Sequence, residues 1–385
     1  MDFLDVKIDR NEIDDSLLNV DARRRKSLFA WNGQFSPQFV EAILKKYATE
    51  SKHCFDPFAG SGTVLVEAAR LSIPVLGIEL NPSAYHMAKC YEFCNVPLEK
   101  RIDYLDLLKK EIDFSDENDV LKRLIELSTA GNAALSCLAS ALVVLLDVFN
   151  NKPDKTLANK KYEKLRNIIT NLPYTSTQVR AVLGDIRTSI KSNSSFDFIL
   201  TSPPYINVFN YHQNYRRSVE LLGYKILEIA KKEFGSNRRN RSNRLLTVIE
   251  YSIDMALAIN EILKHMTNQG RMVFVVGRES KVLGYSFCNS SIIYDILTKI
   301  FGCACLLRQE RHFKNRFGQI IYEDIIHFHK GDFFNKQPEN IIIDKAKTIA
   351  VDSLKKHLLE NNDNKSKLVE AIDKACFVTK SEEEL

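Results

Sequence analysis

Residues 55–63 read Phe55-Asp-Pro-Phe-Ala-Gly-Ser-Gly-Thr63. A short apolar run over 53–56 precedes the turn, and helical periodicity over 63–71 follows it. The stretch therefore reads as a strand turning directly into a helix. Gly60 and Gly62 let the backbone turn tightly and come close to a ligand, with helix N-terminal amides facing it. In an open α/β sheet this is the crevice outside the strand ends, where ligands bind. Glycines at such a turn also serve geometry alone. The dinucleotide fingerprint is not met, because Leu65 stands where its third glycine belongs.

The strand expected over 75–79 ends in Gly77-Ile-Glu-Leu-Asn81. A carboxylate at the ligand edge of this strand, Glu79, can accept both hydroxyls of a ribose. The plainer alternative is a solvated acid at a strand end.

Working outward, the alternation of strands and helices continues in both directions. Ser36-Pro37 opens a helix, Ser as N-cap and Pro in its first turn. Asn81-Pro82 opens another, running to about residue 94. Strands are expected at 179–183, 196–201 and 271–276. Helices are expected over 215–234, 243–268 (with Gly270 near its stop) and 290–301. A late pair, 304–309 and 320–328, reads as an antiparallel addition at one edge. This is an α/β pattern, a mostly parallel sheet covered by helices. Residues 98–178 interrupt it as a helical insert bounded by Pro97 and Pro173. The expected organisation is 1–97 (arm and cofactor half), 98–178 (insert, for target recognition or scaffolding), 179–330 (catalytic half) and 331–385 (helical extension). Residues 1–26 read as a surface arm.

The 385 residues are 45% hydrophobic and 27% charged, with a net charge of +5, which fits a globular chain and excludes a disordered one. No run reaches the roughly 20 apolar residues a membrane span needs; the densest, 133–149, reads as a buried helix. The acidic Met1-Asp-Phe-Leu-Asp5 start lacks a signal-peptide pattern. Eight cysteines without a CxxC pair fit a reduced, cytoplasmic setting. His86, Cys90 and Cys94 share a helix face without an evident fourth ligand, so no metal site is expected. His327 and His329 read as packing or surface residues.

A second motif lies in Phe196-Asp-Phe-Ile-Leu-Thr-Ser-Pro-Pro-Tyr205. Two prolines at a strand's end fix the backbone and remove two N–H donors. The Pro203 carbonyl and the Ser202 hydroxyl then stand as acceptors for the two hydrogens of a flat amino group. Tyr205 offers a face for stacking a base. A rigid turn with a packed tyrosine is the plainer alternative. Further on, Arg238, Arg239, Arg241 and Arg244 cluster in a Gly/Ser/Asn-rich stretch after Lys231 and Lys232, as a candidate DNA contact. Asn207, Phe209, Tyr211, His212 and Tyr215 are candidates for a lid or for core packing. Arg308, Arg311 and Arg316 make a second basic turn, and Lys160, Lys161, Lys164 and Arg166 mark the insert.

The two motifs together, each at a strand end, resemble the S-adenosylmethionine-dependent DNA amino-methyltransferases. Ser-Pro-Pro-Tyr resembles the cytosine-N4 branch, since the adenine-N6 branch more often has Asp or Asn before Pro-Pro. The resemblance covers about residues 27–330 apart from the insert, with the cofactor motif before the catalytic one. It implies a Rossmann-like methyltransferase fold, S-adenosylmethionine as cofactor and double-stranded DNA as partner. Asp56, Phe58, Gly60 and Gly62 match the cofactor turn, with Thr63 beside them, and Glu79 matches the ribose acid. Asp185, in Leu183-Gly-Asp-Ile-Arg187, matches the residue on the adenine amino group, with Ile186 beside it. Phe35, Ser36 and Pro37 match the segment over the methionine end. Ser202, Pro203, Pro204 and Tyr205 match the catalytic motif.

On this reading the target cytosine is flipped out of the duplex, and its amine is aimed at the methyl group for direct displacement. No cysteine sits in the motif, which argues against cytosine-C5 chemistry. A restriction–modification or defence setting, with a cognate endonuclease or defence protein, follows from the resemblance alone. Alternatives are adenine-N6 methylation, RNA guanine-N2 methylation and a non-catalytic DNA-binding module.

Overall fold

The computed structural model describes residues 2–19, 27–31, 33–51, 53–117, 119–190, 194–206, 211–235, 240, 242–314, 318–331 and 337–382. The strands are β1 (Cys54–Asp56), β2 (Val75–Glu79), β3 (Val179–Leu183), β4 (Phe196–Thr201), β5 (Met266–Gly277), β6 (Glu279–Val282), β7 (Tyr285–Cys288), β8 (Ala304–Lys314) and β9 (Ile320–His329). Seven of them form one mostly parallel sheet in the order β3-β2-β1-β4-β5-β9-β8, and β6 and β7 make a separate hairpin. β9 runs antiparallel to both β5 and β8, which is the edge addition expected from the sequence. The architecture is α/β and Rossmann-like.

The chain divides into two compact units. The first comprises Arg23–Gly184 and Asn210–Ile229. In it β2 pairs in parallel with β1 and β3. The helix Pro37–Tyr47 begins at Ser36 as expected, although the Ser36 hydroxyl turns to Gln38 Oε1 at 3.3 Å instead of capping the helix. The Asn81 side chain does cap the helix Pro82–Lys89, accepting from the Ser83 amide at 2.9 Å. Residues 133–149 contain the helix Ala133–Leu146, buried from Leu138 onward.

Arg101, on the helix Leu98–Phe114, is almost fully buried. Its fork donates to the carbonyls of Val96, Ile169, Leu172 and Pro173 at 2.6–3.3 Å. A positive group there satisfies backbone acceptors at the C-terminal end of the helix Lys155–Thr170 and ties it to the helix Leu98–Phe114.

The second unit comprises Met1–Ala22, Asp185–Phe209 and Ala230–Leu385. Its core helix, Leu246–Lys264, is buried along nearly its whole length. This helix stops at Lys264, short of the expected Gly270, because β5 already begins at Met266. The helix expected over 215–234, largely in the first unit, is two, Arg216–Leu221 and Ile226–Ala230, interrupted at Gly223 with φ +92°. The hairpin of β6 and β7 was not expected.

One expectation is refined and one corrected here. The surface arm is anchored, since Phe3, Ile13 and Leu18 are buried, and Ile8 bridges to Arg308 on edge strand β8. A covered edge offers no template for pairing with another chain. The basic turn expected over 308–316 is corrected, because Arg308 and Arg311 lie on strand β8. Arg308 is buried against the Phe3 ring at 4.1 Å and paired with Asp324 at 3.0 Å. Arg311 is buried and paired with Glu323 at 2.6 Å. Arg316 lies outside the described residues.

Two buried histidines set an acid sensitivity. Burial, helped by Arg271, pushes His327 down to about 3, and burial with Lys89 pushes His86 down to about 4. His327 bonds Gln309 Oε1 through Nε2 at 3.1 Å and faces an Arg271 donor at Nδ1 (3.3 Å), a pattern only the neutral ring satisfies. Both folded values lie below that of an unfolded histidine, so the unfolded chain binds the extra protons. Stability is therefore expected to fall as pH drops from 6.5 to 5, by about 1.4 kcal/mol per pH unit per histidine at most. Urea unfolding across this range checks it, and His327→Gln should flatten the slope.

Candidate functional site

In the first unit, β1 ends at Asp56, whose buried carboxylate accepts the Phe58 amide at 3.2 Å and starts the turn. Gly60 and Gly62 both have positive φ (+53° and +86°), and Gly62 is the N-cap of the helix Thr63–Arg70. Thr63 is buried at the first position of that helix. Glu79 is pinned, its Oε2 accepting from the Gly60 amide and its Oε1 from the Asn81 amide, each at 2.7 Å. A carboxylate oxygen so held keeps a second lone pair, so the acid is oriented without being used up.

Ser61 Oγ donates to Gln34 Oε1 at 2.9 Å, which brings the segment Phe35, Ser36 and Pro37 to the glycine turn. Phe35 is buried on Phe39, ring centres 5.7 Å apart. Gly77 has a role that sequence reading did not assign. A Cβ there would stand 2.7 Å from Leu65 and 2.9 Å from Ala59, so its bareness lets the turn and helix settle on β2. A glycine inside an apolar strand was the available signal.

Of the lid candidates, Tyr211 stacks on Trp31 (6.2 Å, 12°), His212 is buried, and Tyr215 Oη reaches the Ala30 carbonyl at 3.4 Å. The Asn81 side chain donates to the Tyr211 carbonyl at 3.0 Å. These three residues belong to the first unit, where Tyr211 and Tyr215 meet Trp31, Asn81 and Ala30. Asn207 and Phe209 lie outside the described residues.

In the second unit, Asp185 is gripped by the Arg187 fork at 2.5–3.1 Å. Arg187 also reaches Asp254 at 2.7 Å and Ser381 Oγ at 3.0 Å, and lies over the Phe234 ring at 4.8 Å. Complete burial pushes Asp254 up to about 6, opposed by Arg187. Ile186 is buried beside Asp185. Arg187 was quoted in the motif without a role; an arginine two residues after the acid was the signal.

At the end of β4, Pro203 is buried while Ser202, Pro204 and Tyr205 are half-buried. The Tyr205 ring lies against Gly277, where a Cβ would come within 2.7 Å of its Cε2. Its hydroxyl donates to Glu323 Oε1 at 2.8 Å and lies 3.4 Å from Ser202 Oγ. Sequence reading missed Glu323 and Gly277. Adjacent acids, Glu323 and Asp324, in an otherwise apolar strand were the only hint.

Arg238, Arg239 and Arg241 lie outside the described residues, and Arg244 is half-buried just before the helix Leu246–Lys264. Lys160 and Lys164 are exposed, whereas Arg166 pairs with Asp106 at 3.0 Å. Among the described residues no group of three or more His, Cys, Asp or Glu side chains is placed to hold a metal, and no helix is long and apolar enough to cross a membrane.

A family model for DNA methylases of the N6/N4 type matches residues 8–90. The type II methyltransferase M.MjaII of Methanocaldococcus jannaschii is 36% identical over 87 residues, covering 22% of this chain and 16% of its own. The type II methyltransferase M.BsoBI of Geobacillus stearothermophilus is 20% identical over 305 residues, covering 59% of each. The chain thus spans less than two thirds of the length of these curated relatives. Among solved structures, a SAM-dependent methyltransferase of Methanosarcina mazei aligns at TM-score 0.35 and 11% identity, over 75% of this chain and 97% of its own. The rRNA methyltransferase aviRa of Streptomyces viridochromogenes aligns at TM-score 0.32 and 13% identity, over 84% and 95%. The matched region 8–90 holds the glycine turn and Glu79.

Proposed function

We propose that this chain transfers a methyl group from S-adenosylmethionine to the exocyclic N4 amine of a cytosine flipped out of duplex DNA. The observation that carries the reading is the Ser202-Pro203-Pro204-Tyr205 turn closing β4, with two rigidly placed acceptors and no cysteine. The cofactor fits the first unit's turn. A ribose needs an oriented acid, and Glu79 is held by two backbone amides; a close backbone approach needs bare residues at positive φ, and Gly60 and Gly62 supply them. Phe35, Ser36, Pro37, Asp56, Phe58 and Thr63 would complete that contact, and Asp185 and Ile186 would meet the adenine.

When bound, S-adenosylmethionine supplies an electrophilic methyl group. The Ser202 hydroxyl and the Pro203 carbonyl accept the two amine hydrogens, drawing the nitrogen lone pair out of the ring and fixing its direction. Alignment of this kind is the main rate contribution in a direct displacement. The reading includes Arg238, Arg239, Arg241 and Arg244 as DNA contacts, the insert 98–178 as recognition or scaffold domain, and a restriction–modification or defence setting with a cognate nuclease.

Glu79→Gln is expected to weaken cofactor binding about tenfold, because an amide nitrogen cannot accept from the backbone amide or the ribose that its oxygen served. Titration calorimetry with S-adenosylmethionine checks this, and an unchanged affinity removes Glu79 from the site. The reaction itself is tested by incubating protein, cofactor and unmethylated duplex DNA, then digesting to nucleosides for mass spectrometry. N4-methylcytosine supports the proposal. N6-methyladenine overturns the base assignment, and cofactor binding without any methylated deoxynucleoside overturns DNA as the substrate.

A further inference from the structure

We propose that Arg311, Glu323 and Tyr205 form a chain that holds Ser202 as a hydrogen-bond acceptor and drains the proton the target amine must lose. The proposal rests on the amino-methylation reading above and adds to it three residues of one unit.

The geometry is continuous. Arg311 and Glu323 face each other across β8 and β9, and Arg311 Nε donates to Glu323 Oε2 at 2.6 Å. Glu323 Oε1 accepts from Tyr205 Oη at 2.8 Å, and Tyr205 Oη lies 3.4 Å from Ser202 Oγ. Glu323 is only 6% exposed, so its charge is answered by Arg311 and Tyr205 instead of by water. Gly277 leaves the room that the Tyr205 ring needs to reach this position.

Donor and acceptor roles follow from this order. An ionised carboxylate can only accept, so the single phenolic proton of Tyr205 points at Glu323. The proton in the Ser202–Tyr205 contact must then come from Ser202. Ser202 is left with lone pairs to offer and no proton. An exocyclic amine meets it as a donor, whereas a base with a carbonyl oxygen at that position would set lone pair against lone pair. A site built around one polarity discriminates strongly against the other.

The same chain balances the chemistry. The amine nitrogen forms a bond to carbon with its lone pair, and the electrons of the broken S–C bond return to sulfur. The nitrogen then carries one proton too many and, with its lone pair used, is strongly acidic. That proton passes to Ser202 Oγ while the Ser202 proton passes to Tyr205 Oη and the Tyr205 proton to Glu323. Nitrogen, Ser202 and Tyr205 end neutral, and Glu323 ends protonated beside Arg311 until the product leaves. Tyr205 and Glu323 act through Ser202 and are positioning residues in this sense.

The test compares wild type, Tyr205→Phe, Glu323→Gln and the double variant in single-turnover methylation at saturating DNA and cofactor. Each single change is expected to slow transfer about 10²-fold, with DNA and cofactor affinities unchanged and the double variant no slower than the slower single. Wild-type rates in Tyr205→Phe or Glu323→Gln overturn the chain. So does a loss seen only in affinity, which is what a structural role would give. A readout independent of turnover is the tyrosine Fermi doublet in ultraviolet resonance Raman spectra, isolated for Tyr205 by subtracting the Tyr205→Phe spectrum. It should report a hydrogen-bond donor that changes in Glu323→Gln, and an unaltered doublet rejects the assigned direction. A wild-type protein that binds cofactor yet methylates no base sinks the amino-methylation reading and this proposal with it. An active wild type with unaffected variants sinks this proposal alone.

Discussion

Replacing Ser202 with alanine is expected to slow methyl transfer by about 10²- to 10³-fold at saturating DNA and cofactor, the usual scale for removing one preorganised polar group aimed at developing charge. As nitrogen gives up its lone pair, its hydrogens become more positive, and an acceptor already in place stabilises that state more than the ground state. The Pro203 carbonyl remains in Ser202→Ala, so the loss should be partial and confined to the rate. The Tyr205–Glu323 bond at 2.8 Å does not involve Ser202, and the fold should be untouched. Single-turnover kinetics with separately measured DNA affinity check this. A wild-type rate would remove Ser202 from the reaction, and weakened DNA binding at an unchanged rate would make it a docking group.

The second large effect concerns Gly62. An alanine there must hold φ near +86° and place its Cβ 2.8 Å from the Tyr91 ring and 3.0 Å from Ala88 Cα. Left-handed backbone costs about 1–3 kcal/mol for a residue other than glycine. Overpacking against buried groups adds about 1–3 kcal/mol, so Gly62→Ala is expected to destabilise the protein by about 2–6 kcal/mol. Gly60→Ala is the contrast. Its φ is +53°, near the ordinary left-handed well, and its Cβ would meet Trp31 at 3.5 Å, an ordinary contact. That change should cost about 1 kcal/mol. Urea unfolding of the two variants decides, and equal losses would show that backbone conformation alone governs the turn.

These two glycines look the same in the sequence and differ in backbone angle and in what lies above them, and the same division runs through the molecule. The strands 75–79, 179–183 and 196–201 were readable to the residue. Each is a short apolar run bounded by turn residues, a pattern set by neighbours in the chain. The helix starts at Pro37 and Pro82 were readable for the same reason. The hairpin of β6 and β7 was not, because Glu279–Val282 carries two charges and its pairing with Tyr285–Cys288 depends on a turn at Leu283, with φ +50°, and Gly284.

Charged residues divide most sharply. Arg308 and Arg311 sit in a run that reads as a basic turn, yet both are buried on β8, where Asp324 and Glu323 on the neighbouring strand pair with them. Asp185 stood out from its place after a strand, while Arg187, which grips it, is itself held by Asp254 and Ser381, a set that spans nearly two hundred residues of chain. Sequence by itself determined the alternation of strands and helices, the two motifs and the residue types they present, since local sterics and periodicity act between near neighbours. Tertiary structure alone decided which arginines turn inward and what orients Glu79 and Tyr205. Each of those depends on a partner brought across the fold, and a hydrogen bond or ion pair exists only when both atoms arrive within about 3 Å of each other.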